Sequence, residues 1–435
     1  SPRAIWQTLP ALCRLIRDAG VDVLHARSRV PAWLGYWASR LTQKPFVTTC
    51  HGFYQPHPAS RVMTWGRLVI VPSEALGRYV AHTFGVPVER LRVIPRGVDL
   101  SQFLFRGLRP REAGPWRIGL VGRISPLKGH DVAIRALAQL VDQGRAVRLC
   151  VVGETAAAKT PLRRRLKEMA EELGVAEAVE WLGTRTDVPD VLASCDAVVV
   201  PSTYPESFGR GVIEAQAVGV PVVASRLGGL AELIEHEQTG LLVSPGDPSE
   251  LATALRRLMD EEPLRKRLIE CARRRVEERF SIEQMVEQTL TVYDDCVRRP
   301  RVVVWKLSAL GDVVLSTPSL RAIRRRFPDS PISLVVSRPF AELVTRCPYV
   351  SELILYDPTR KDRTWTGKRR FAKRLRRAGF DISIDLQNSR LTHLLAWLAD
   401  IPIRIGYRRR WGRLLSQPVE LPRRAMAPVA HQHHL

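Results

Sequence analysis

Two glutamates in the middle of the sequence are placed so that both carboxylates could accept hydrogen bonds from one ligand. Glu206 and Glu214 are separated by seven residues, in the stretch Glu206-Ser-Phe-Gly-Arg-Gly-Val-Ile-Glu214. Glu206 follows an apolar run typical of a buried strand, and Glu214 lies one turn into a helix predicted to begin near Gly209. The backbone N–H groups around Phe208 and Gly209 are expected to face the same crevice. Taken alone, the pair is more typical of solvated acids at a helix start.

A second loop, upstream, carries two cations. The stretch Gly122-Arg123-Ile-Ser-Pro-Leu-Lys128-Gly129 lies between a predicted strand and a predicted helix. Arg123 could bind a diphosphate bidentately, and Lys128 could bind it as a point charge. A basic surface turn is the ordinary alternative, but both loops follow strands of one predicted sheet, at the end where ligands bind. Together the loops predict a crevice for a nucleotide sugar, with the diphosphate on the cations and the ribose and hexose on the carboxylates.

The elements around these loops predict an α/β fold with parallel sheets. Short β-branched runs alternate with amphipathic helical segments, and the first such series covers residues 1–98. A stretch rich in Pro, Gly and Arg, residues 99–115, is predicted to be a linker. A second series covers residues 116–298, and a third starts at the strand Val302–Trp305 and covers residues 301–435. We therefore expect two Rossmann-like domains, the first of them incomplete, followed by a third Rossmann-like half-domain.

Residues 116–297 resemble the nucleotide-binding domain of glycosyltransferase family 4, which has the GT-B fold of two facing Rossmann domains. The resemblance rests on the two loops above, on Gly228-Gly229 before Glu232, and on the segment from Thr239 to Pro248. It implies a retaining, metal-independent transferase without a cofactor, whose co-substrate is a UDP-, GDP- or ADP-sugar. It also implies that the helix over residues 282–297 packs back on the first domain. Glu206 would be catalytic, and the donor would be bound by Gly122, Arg123, Lys128, Phe208, Gly209 and Glu214.

Residues 1–98 resemble the later part of the acceptor-side domain of the same family. His51 matches a family position near the reacting sugar and is a candidate catalytic residue, although a structural histidine is an equally good interpretation. His25 and Arg27 also follow a predicted strand and are acceptor-side candidates. Chains of this family start with a strand and a Gly-rich turn that are not found before Ser1, so the front of this domain is expected to be missing.

The third series resembles the opening half of the glycosyltransferase family 9 heptosyltransferases, which act on the lipopolysaccharide inner core. The resemblance rests on Val302 to Val314, on Phe380 to Gln387 and on Ile403 to Tyr407. It implies that Asp312 is a catalytic base toward an acceptor, with Lys306, Ser308 and Gln387 on the acceptor side. The more common role for such an Asp is that of an acid at a helix start, where its negative charge interacts favourably with the helix dipole.

The charge and composition of the chain limit which partners are expected. The net charge is +23, and residues 301–435 contribute 26 Lys and Arg against 10 Asp and Glu, or +16. The basic segment 368–379 predicts either a solvated helix packed on its sheet or contact with the cytoplasmic surface of the inner membrane. The second interpretation, together with a glycolipid or lipopolysaccharide-core acceptor, favours a cytoplasmic protein that binds the membrane peripherally. The seven cysteines form no Cys-x-x-Cys pair, so no metal site is expected.

Two alternatives to a glycosyltransferase remain at this stage. A sugar-nucleotide epimerase or a phosphorylase could share the same fold. A basic module that binds anions or nucleic acid would explain the charge, but the sequence has no RNA-binding aromatic motif and no helix-turn-helix signature, so we expect no nucleic-acid partner.

Overall fold

The computed structural model describes residues 2–107, 114–154, 160–408 and 411–420. It contains three parallel sheets, each covered by helices. Residues 108–113 of the expected linker and residues 421–435 of the expected third domain lie outside the described residues. Each sheet forms one structural unit, which we call the first, second and third unit in chain order.

The first unit has a four-stranded parallel sheet in the order β1-β2-β3-β4. Its strands β2 and β3 are buried along their whole length, as expected for apolar runs covered by helices on both faces. The strands are β1 Leu24–Ala26, β2 Phe46–Thr49, β3 Leu68–Val71 and β4 Leu91–Val93. The helices are α1 Pro2–Asp18, α2 Arg29–Thr42, α3 Pro58–Arg61 and α4 Glu74–Phe84.

The second unit has a six-stranded parallel sheet in the order β10-β9-β8-β5-β6-β7. The direction of strand succession reverses between β5 and β8, and a crevice lies at the carboxyl ends of these two strands. The strands are β5 Trp116–Val121, β6 Val147–Val152, β7 Val179–Gly183, β8 Ala197–Val200, β9 Val222–Ser225 and β10 Leu241–Val243. The helices are α5 His130–Asp142, α6 Thr160–Glu172, α7 Val188–Ala193, α8 Arg210–Val218, α9 Leu230–Leu233, α10 Pro248–Asp260 and α11 Glu262–Arg279.

The chain crosses between the first two units twice, and the two crossings pair with each other. Val98 forms a parallel bridge with Ser281, and the Val98 N–H donates to the carbonyl of Phe280. A Cβ at Gly97 would lie 2.5 Å from Ile282 Cα, so only glycine fits at this crossing. Helix α12, Ile282–Arg298, then packs on the first sheet through Val292 and Cys296.

The third unit is a six-stranded parallel sheet in the order β13-β12-β11-β14-β15-β16, which has the same strand succession as the second unit. Its strands are β11 Val302–Trp305, β12 Ile332–Ser337, β13 Glu352–Tyr356, β14 Ile382–Asp385, β15 Ile403–Tyr407 and β16 Gln417–Val419. Its helices are α13 Leu310–Leu315, α14 Thr317–Arg326, α15 Trp365–Ala378 and α16 Arg390–Leu398.

The third unit docks on the first through buried and half-buried polar contacts. The guanidinium of Arg67 lies 2.9 Å from the carboxylate of Asp381, and both side chains are largely buried. Arg376 from α15 lies 3.3 Å from Asp400 and stacks over the Trp65 ring at 5.4 Å. The apolar face of α15, including Phe371, is buried. Part of the basic helix therefore packs against the rest of the protein, and no helix in the described ranges is long and apolar enough to span a membrane.

Candidate functional site

The crevice between β5 and β8 is formed by two loops that approach each other at a glycine. Gly129 adopts a φ of 65°, and a Cβ there would lie 1.8 Å from the carbonyl oxygen of Pro201. Any other residue at position 129 would push the loop after β5 away from the loop after β8. This close approach brings Lys128, at the end of one loop, over the other loop.

Lys128 and Glu206 form an ion pair at the centre of the crevice. The Lys128 Nζ lies 2.8 Å from both carboxylate oxygens of Glu206, and the hydroxyl of Ser202 donates to the same carboxylate. The side chain of Lys128 is 31% exposed and that of Glu206 is 17% exposed. The two charges are therefore close to solvent and within reach of a ligand, and neither is buried in the core.

The backbone of Glu206 is held by the two glycines of the Gly228-Gly229 motif. Glu206 forms a parallel bridge with Gly228, and its carbonyl accepts from the Gly229 N–H at 2.8 Å. Gly228 has a φ of 56°, and a Cβ there would lie 2.7 Å from the Glu206 carbonyl oxygen. The motif thus fixes the position of the Glu206 backbone, and with it the point from which the carboxylate extends into the crevice.

Glu214 lies on α8 and is almost fully buried. Gly209 precedes the helix with a φ of 115°, and a Cβ there would lie 2.3 Å from Leu230 Cδ2. Glu214 is 8% exposed, and its carboxylate lies 2.7 Å from the guanidinium of Arg210, one turn back on the helix. Sequence reasoning missed the side chain of Arg210. An arginine four residues before a glutamate in a helix is the signal that could have found it.

The side chains of two other donor-side candidates take no part in the ion pair of Lys128 and Glu206. Arg123 is exposed and forms no ion pair with any of the residues that the structure describes. Phe208 is 3% exposed, and its ring packs edge-on against Phe280 at 6.1 Å. The side chain of Phe208 is part of the core, so any contact of this residue with a ligand would come from its backbone.

His51 lies on the first unit and faces the Glu206 loop across the cleft. Its backbone carbonyl accepts from the hydroxyl of Ser207 at 2.6 Å, and its Nδ1 lies 2.8 Å from the guanidinium of Arg96. Burial, and secondarily the charges of Arg96 and Arg27, lower the pKa of His51 to about 4. Because a guanidinium only donates, Nδ1 must accept, and the neutral ring carries its proton on Nε2. In this tautomer, the ring of His51 donates a hydrogen bond through Nε2.

The other acceptor-side candidates of the first unit flank His51. His25 bridges two elements, since its Nδ1 lies 2.6 Å from the Tyr293 hydroxyl of α12 and its Nε2 lies 2.6 Å from the Thr49 hydroxyl of β2. Burial, and secondarily the charge of Arg27, lower the pKa of His25 to about 4. Arg27 is exposed at the end of β1. Sequence reasoning missed Arg96, which follows β4 and lies outside the quoted motifs.

The candidates of the third unit meet in a separate place, where β11 and β14 end. The Lys306 Nζ is buried and lies 3.1 Å from the carboxylate of Asp312, whose side chain is 51% exposed. Gln387 Oε1 accepts from the backbone N–H groups of Leu307 and Ser308 at 3.0 and 3.2 Å. These three side chains and two backbone amides belong to the switch point of the third sheet, between its first and fourth strands.

A buried acid–histidine pair supports that loop of the third unit. The carboxylate of Asp385 accepts from the N–H groups of Gln387 and Asn388, and its other oxygen lies 3.3 Å from His393 Nε2. Burial raises the pKa of Asp385 to about 7, against the opposing effect of its hydrogen bonds. Within the described residues, no three His, Cys, Asp or Glu side chains cluster in a way that could hold a metal ion.

Comparisons of sequence agree with the arrangement of the first two units. Residues 1–102 match the family model described as Glycosyltransferase Family 4, and residues 106–275 match that described as Glycosyl transferases group 1. The D-inositol 3-phosphate glycosyltransferase of Corynebacterium jeikeium (strain K411) is 34% identical over 295 residues, which cover 60% of this chain and 69% of that protein. The enzyme of the same name from Rhodococcus opacus (strain B4) is 36% identical over 303 residues, covering 62% and 67%.

Solved structures agree as well. A glycosyltransferase from Rickettsia africae ESF-5 superposes with a TM-score of 0.63 at 27% identity, covering 68% of this chain and 83% of that one. Anabaena Alr3699/HepE in complex with UDP superposes with a TM-score of 0.60 at 27% identity, covering 66% and 82%. The expected α/β fold of Rossmann-like units is confirmed. The chain belongs to the family 4 glycosyltransferases of the GT-B fold, and it is an enzyme of the transferase class.

Proposed function

We propose that residues 1–298 transfer a sugar from a nucleotide-sugar donor to an acceptor hydroxyl with retention of the anomeric configuration and without a metal ion. The observation that carries the proposal is the pairing of Lys128 with Glu206 at 2.8 Å in the crevice between β5 and β8. A donor diphosphate would take over Lys128 and the exposed Arg123, which frees the Glu206 carboxylate to accept from hexose hydroxyls. Glu214, held by Arg210 without ligand, would accept from the ribose diol.

The chemistry needs charge stabilisation on the leaving group. The acceptor oxygen bonds to the anomeric carbon as the bond from that carbon to the diphosphate breaks, so negative charge accumulates on the departing nucleoside diphosphate, whose oxygen takes up the proton that the acceptor hydroxyl loses. Cations already positioned at that charge stabilise the transition state more than the ground state. Because Arg96 occupies Nδ1 of His51, we assign His51 the role of a neutral donor to a sugar hydroxyl rather than that of a base.

Thermal unfolding in the presence of a chelator tests this proposal. UDP-, GDP- and ADP-glucose are each added to the wild-type protein, and at least one is expected to raise the melting temperature, since a ligand that binds only the folded state stabilises it. UDP compounds come first because the Anabaena structure holds UDP. The product linkage is then read by NMR of the anomeric proton. Failure of all three donors to stabilise the protein, or a product of inverted configuration, would contradict the proposal.

We further propose that the acceptor is a lipid-linked or lipopolysaccharide-core saccharide. The resemblance of the third unit to heptosyltransferases supports this, as do Arg369, Arg370 and Lys373, which are exposed on α15. Binding to vesicles with and without phosphatidylglycerol should depend on this charge and weaken in the variant with all three changed to Gln. Acceptor assays compare a lipopolysaccharide-core oligosaccharide with D-inositol 3-phosphate, the compound in the names of the curated relatives.

For the third unit we propose a partial family 9 module that binds an acceptor through the loop of Lys306 and Gln387, with Asp312 at the acceptor hydroxyl. The half-exposed carboxylate of Asp312 beside the buried amine of Lys306 supports this. Asp312→Asn should weaken binding of a lipopolysaccharide inner-core oligosaccharide in calorimetry, whereas Asp329→Asn, an exposed acid of the same unit, should not. Equal binding by both variants would count against the assignment.

A further inference from the structure

A cavity on the acceptor side of the cleft is lined by cationic, neutral polar and apolar groups, and none of the described residues that line it is an acid. It has a volume of about 290 Å³, at the small end for ligand pockets, and lies between β1, β2, β4 and α12. Its polar lining consists of His25, Arg27, Thr49, His51, Arg96, Thr289 and Tyr293. The remaining lining residues are apolar, so the charge of the cavity comes from its arginines.

The two arginines of this cavity have no counter-charge among the residues that the structure describes. Arg27 and Arg96 form no ion pair with any described residue, whereas Arg67, in the same unit, is paired with Asp381. Arg27 and Arg96 line the same cavity, and the pKa of Arg96 is lowered first by burial and then by the charges of Arg27 and Arg210. The histidines do not add to the charge, because burial and these arginines keep both of them neutral at physiological pH.

Such a cluster is costly without an anion. Like charges near one another, partly removed from water, disfavour the charged state of each, and an oxyanion between them removes that penalty. A guanidinium binds phosphate or carboxylate oxygens through two parallel hydrogen bonds. The walls are fixed, since His25 is held by Thr49 and by Tyr293 of α12, so the cavity is organised before a ligand arrives.

The position of the cavity separates it from the donor diphosphate. Lys128 and Glu206 stand on the second unit, while Arg27 and Arg96 stand on the first, and the border between them is the hydrogen bond from Ser207 to the carbonyl of His51. A group bound at the arginines would therefore belong to the acceptor. Building on the proposed glycosyltransferase function, we propose that the acceptor carries an anionic oxygen group, phosphate or carboxylate, and that Arg27 and Arg96 bind this group next to the reacting hydroxyl.

Calorimetry with inorganic phosphate tests the cavity while the donor site is filled. Wild-type protein saturated with UDP is titrated with phosphate, and with acetate at equal ionic strength, to tell the two anion classes apart. We expect saturable binding of at least one anion, weakened at least about tenfold in Arg27→Gln and in Arg96→Gln, as expected for a lost charge-assisted pair. Arg61→Gln, which removes an exposed charge of the same unit outside the cavity, should bind the anion like the wild type.

Two further readouts keep the outcome decisive. Melting temperatures show whether each variant is folded, and since Arg27 is exposed, Arg27→Gln remains informative if Arg96→Gln unfolds. In NMR, anion binding should raise the pKa of His51, whose present low value reflects burial and the two arginines. Equal anion affinity in all four proteins, or no saturable binding to the wild type, would overturn the inference. If UDP itself fails to bind, the donor proposal fails instead, and the phosphate titration without UDP still tests the cavity.

Discussion

Replacing Lys128 by methionine tests how the donor crevice binds its ligand. Methionine keeps much of the length of the lysine stem and removes the charge, so the ion pair with Glu206 is lost while the packing of the stem over the crevice is nearly kept. The change leaves the Glu206 carboxylate with the hydroxyl of Ser202 and with solvent, because its side chain is 17% exposed. The fold should therefore survive and only the ligand contact should change.

The change in the free energy of unfolding and the change in the Kd for UDP can both be estimated. Exposed ion pairs contribute about 0–1 kcal/mol to the free energy of unfolding, and since Lys128 is 31% exposed we expect a loss near the upper end of that range. A charge-assisted hydrogen bond to a phosphate contributes about 1.5–3 kcal/mol, which corresponds to about 10- to 150-fold in affinity. Part of that gain is offset in the wild type, where Lys128 must leave Glu206. We therefore expect the Kd for UDP to rise by about 10- to 50-fold.

Calorimetric titration with UDP and with a UDP-sugar measures the effect, with Lys167→Met as the control, an exposed lysine on α6 of the same unit. Glu206→Gln serves as the counterpart: because UDP has no hexose, this variant should bind UDP as well as the wild type or better, but bind the UDP-sugar more weakly. A change of less than about twofold for UDP in Lys128→Met would refute the role of this lysine. The same holds if Lys167→Met loses as much affinity.

Three further predictions concern the supports of the site. Gly228→Ala should lower the free energy of unfolding in a urea titration and the donor affinity in a UDP-sugar titration. The reason is that the new Cβ, at a φ of 56°, would lie 2.7 Å from the Glu206 carbonyl oxygen. Gly246→Ala is the control, because Gly246 has a φ of 75° but no atom within 4 Å of the added Cβ, so its donor affinity should not change. Burial lowers the pKa of His130 to about 4, and both ring nitrogens are buried without a hydrogen-bond partner in the described residues. The folded state thus binds fewer protons than the unfolded state, so stability should fall as pH drops from about 6.5 toward 4, and His130→Leu should flatten that slope in urea titrations. The carboxylate of Glu232 accepts from the N–H groups of Glu74 and Ala75 across the cleft, so Glu232→Gln should speed exchange of these two amide hydrogens, while unchanged exchange would show that the contact is not formed in solution.

Much of the fold follows from local patterns. The apolar runs Ala197–Val200 and Leu68–Val71 each predict a buried strand, and both are strands with those bounds, as is the predicted strand Val302–Trp305. The run Val21–His25 also predicts a strand, but the strand in the structure is Leu24–Ala26, since residues 21–23 do not pair in the sheet. The short strand Leu241–Val243 was not predicted as a strand, because three apolar residues between a glycine and a loop carry too little periodicity to be distinguished from a turn.

The site could be predicted only in part, because its contacts join distant segments. Strand ends placed the loops of Lys128 and Glu206 at one edge of the sheet, but their direct pairing depends on the close approach at Gly129, which periodicity does not report. Phe208 is predicted at the donor through its backbone N–H, and the packing of its ring against Phe280 in the core is a contact that no local pattern reports. The docking of the third unit, through Arg67 and Asp381, joins residues that no local pattern relates.

A crystal structure of the protein with a bound nucleotide-sugar would test the central claim most directly. The account predicts that the diphosphate lies within hydrogen-bond distance of Lys128 Nζ and Arg123, with the ribose on Glu214 and the hexose on Glu206. A nucleotide bound outside the crevice between β5 and β8, or a diphosphate that leaves the pair of Lys128 and Glu206 intact, would contradict it.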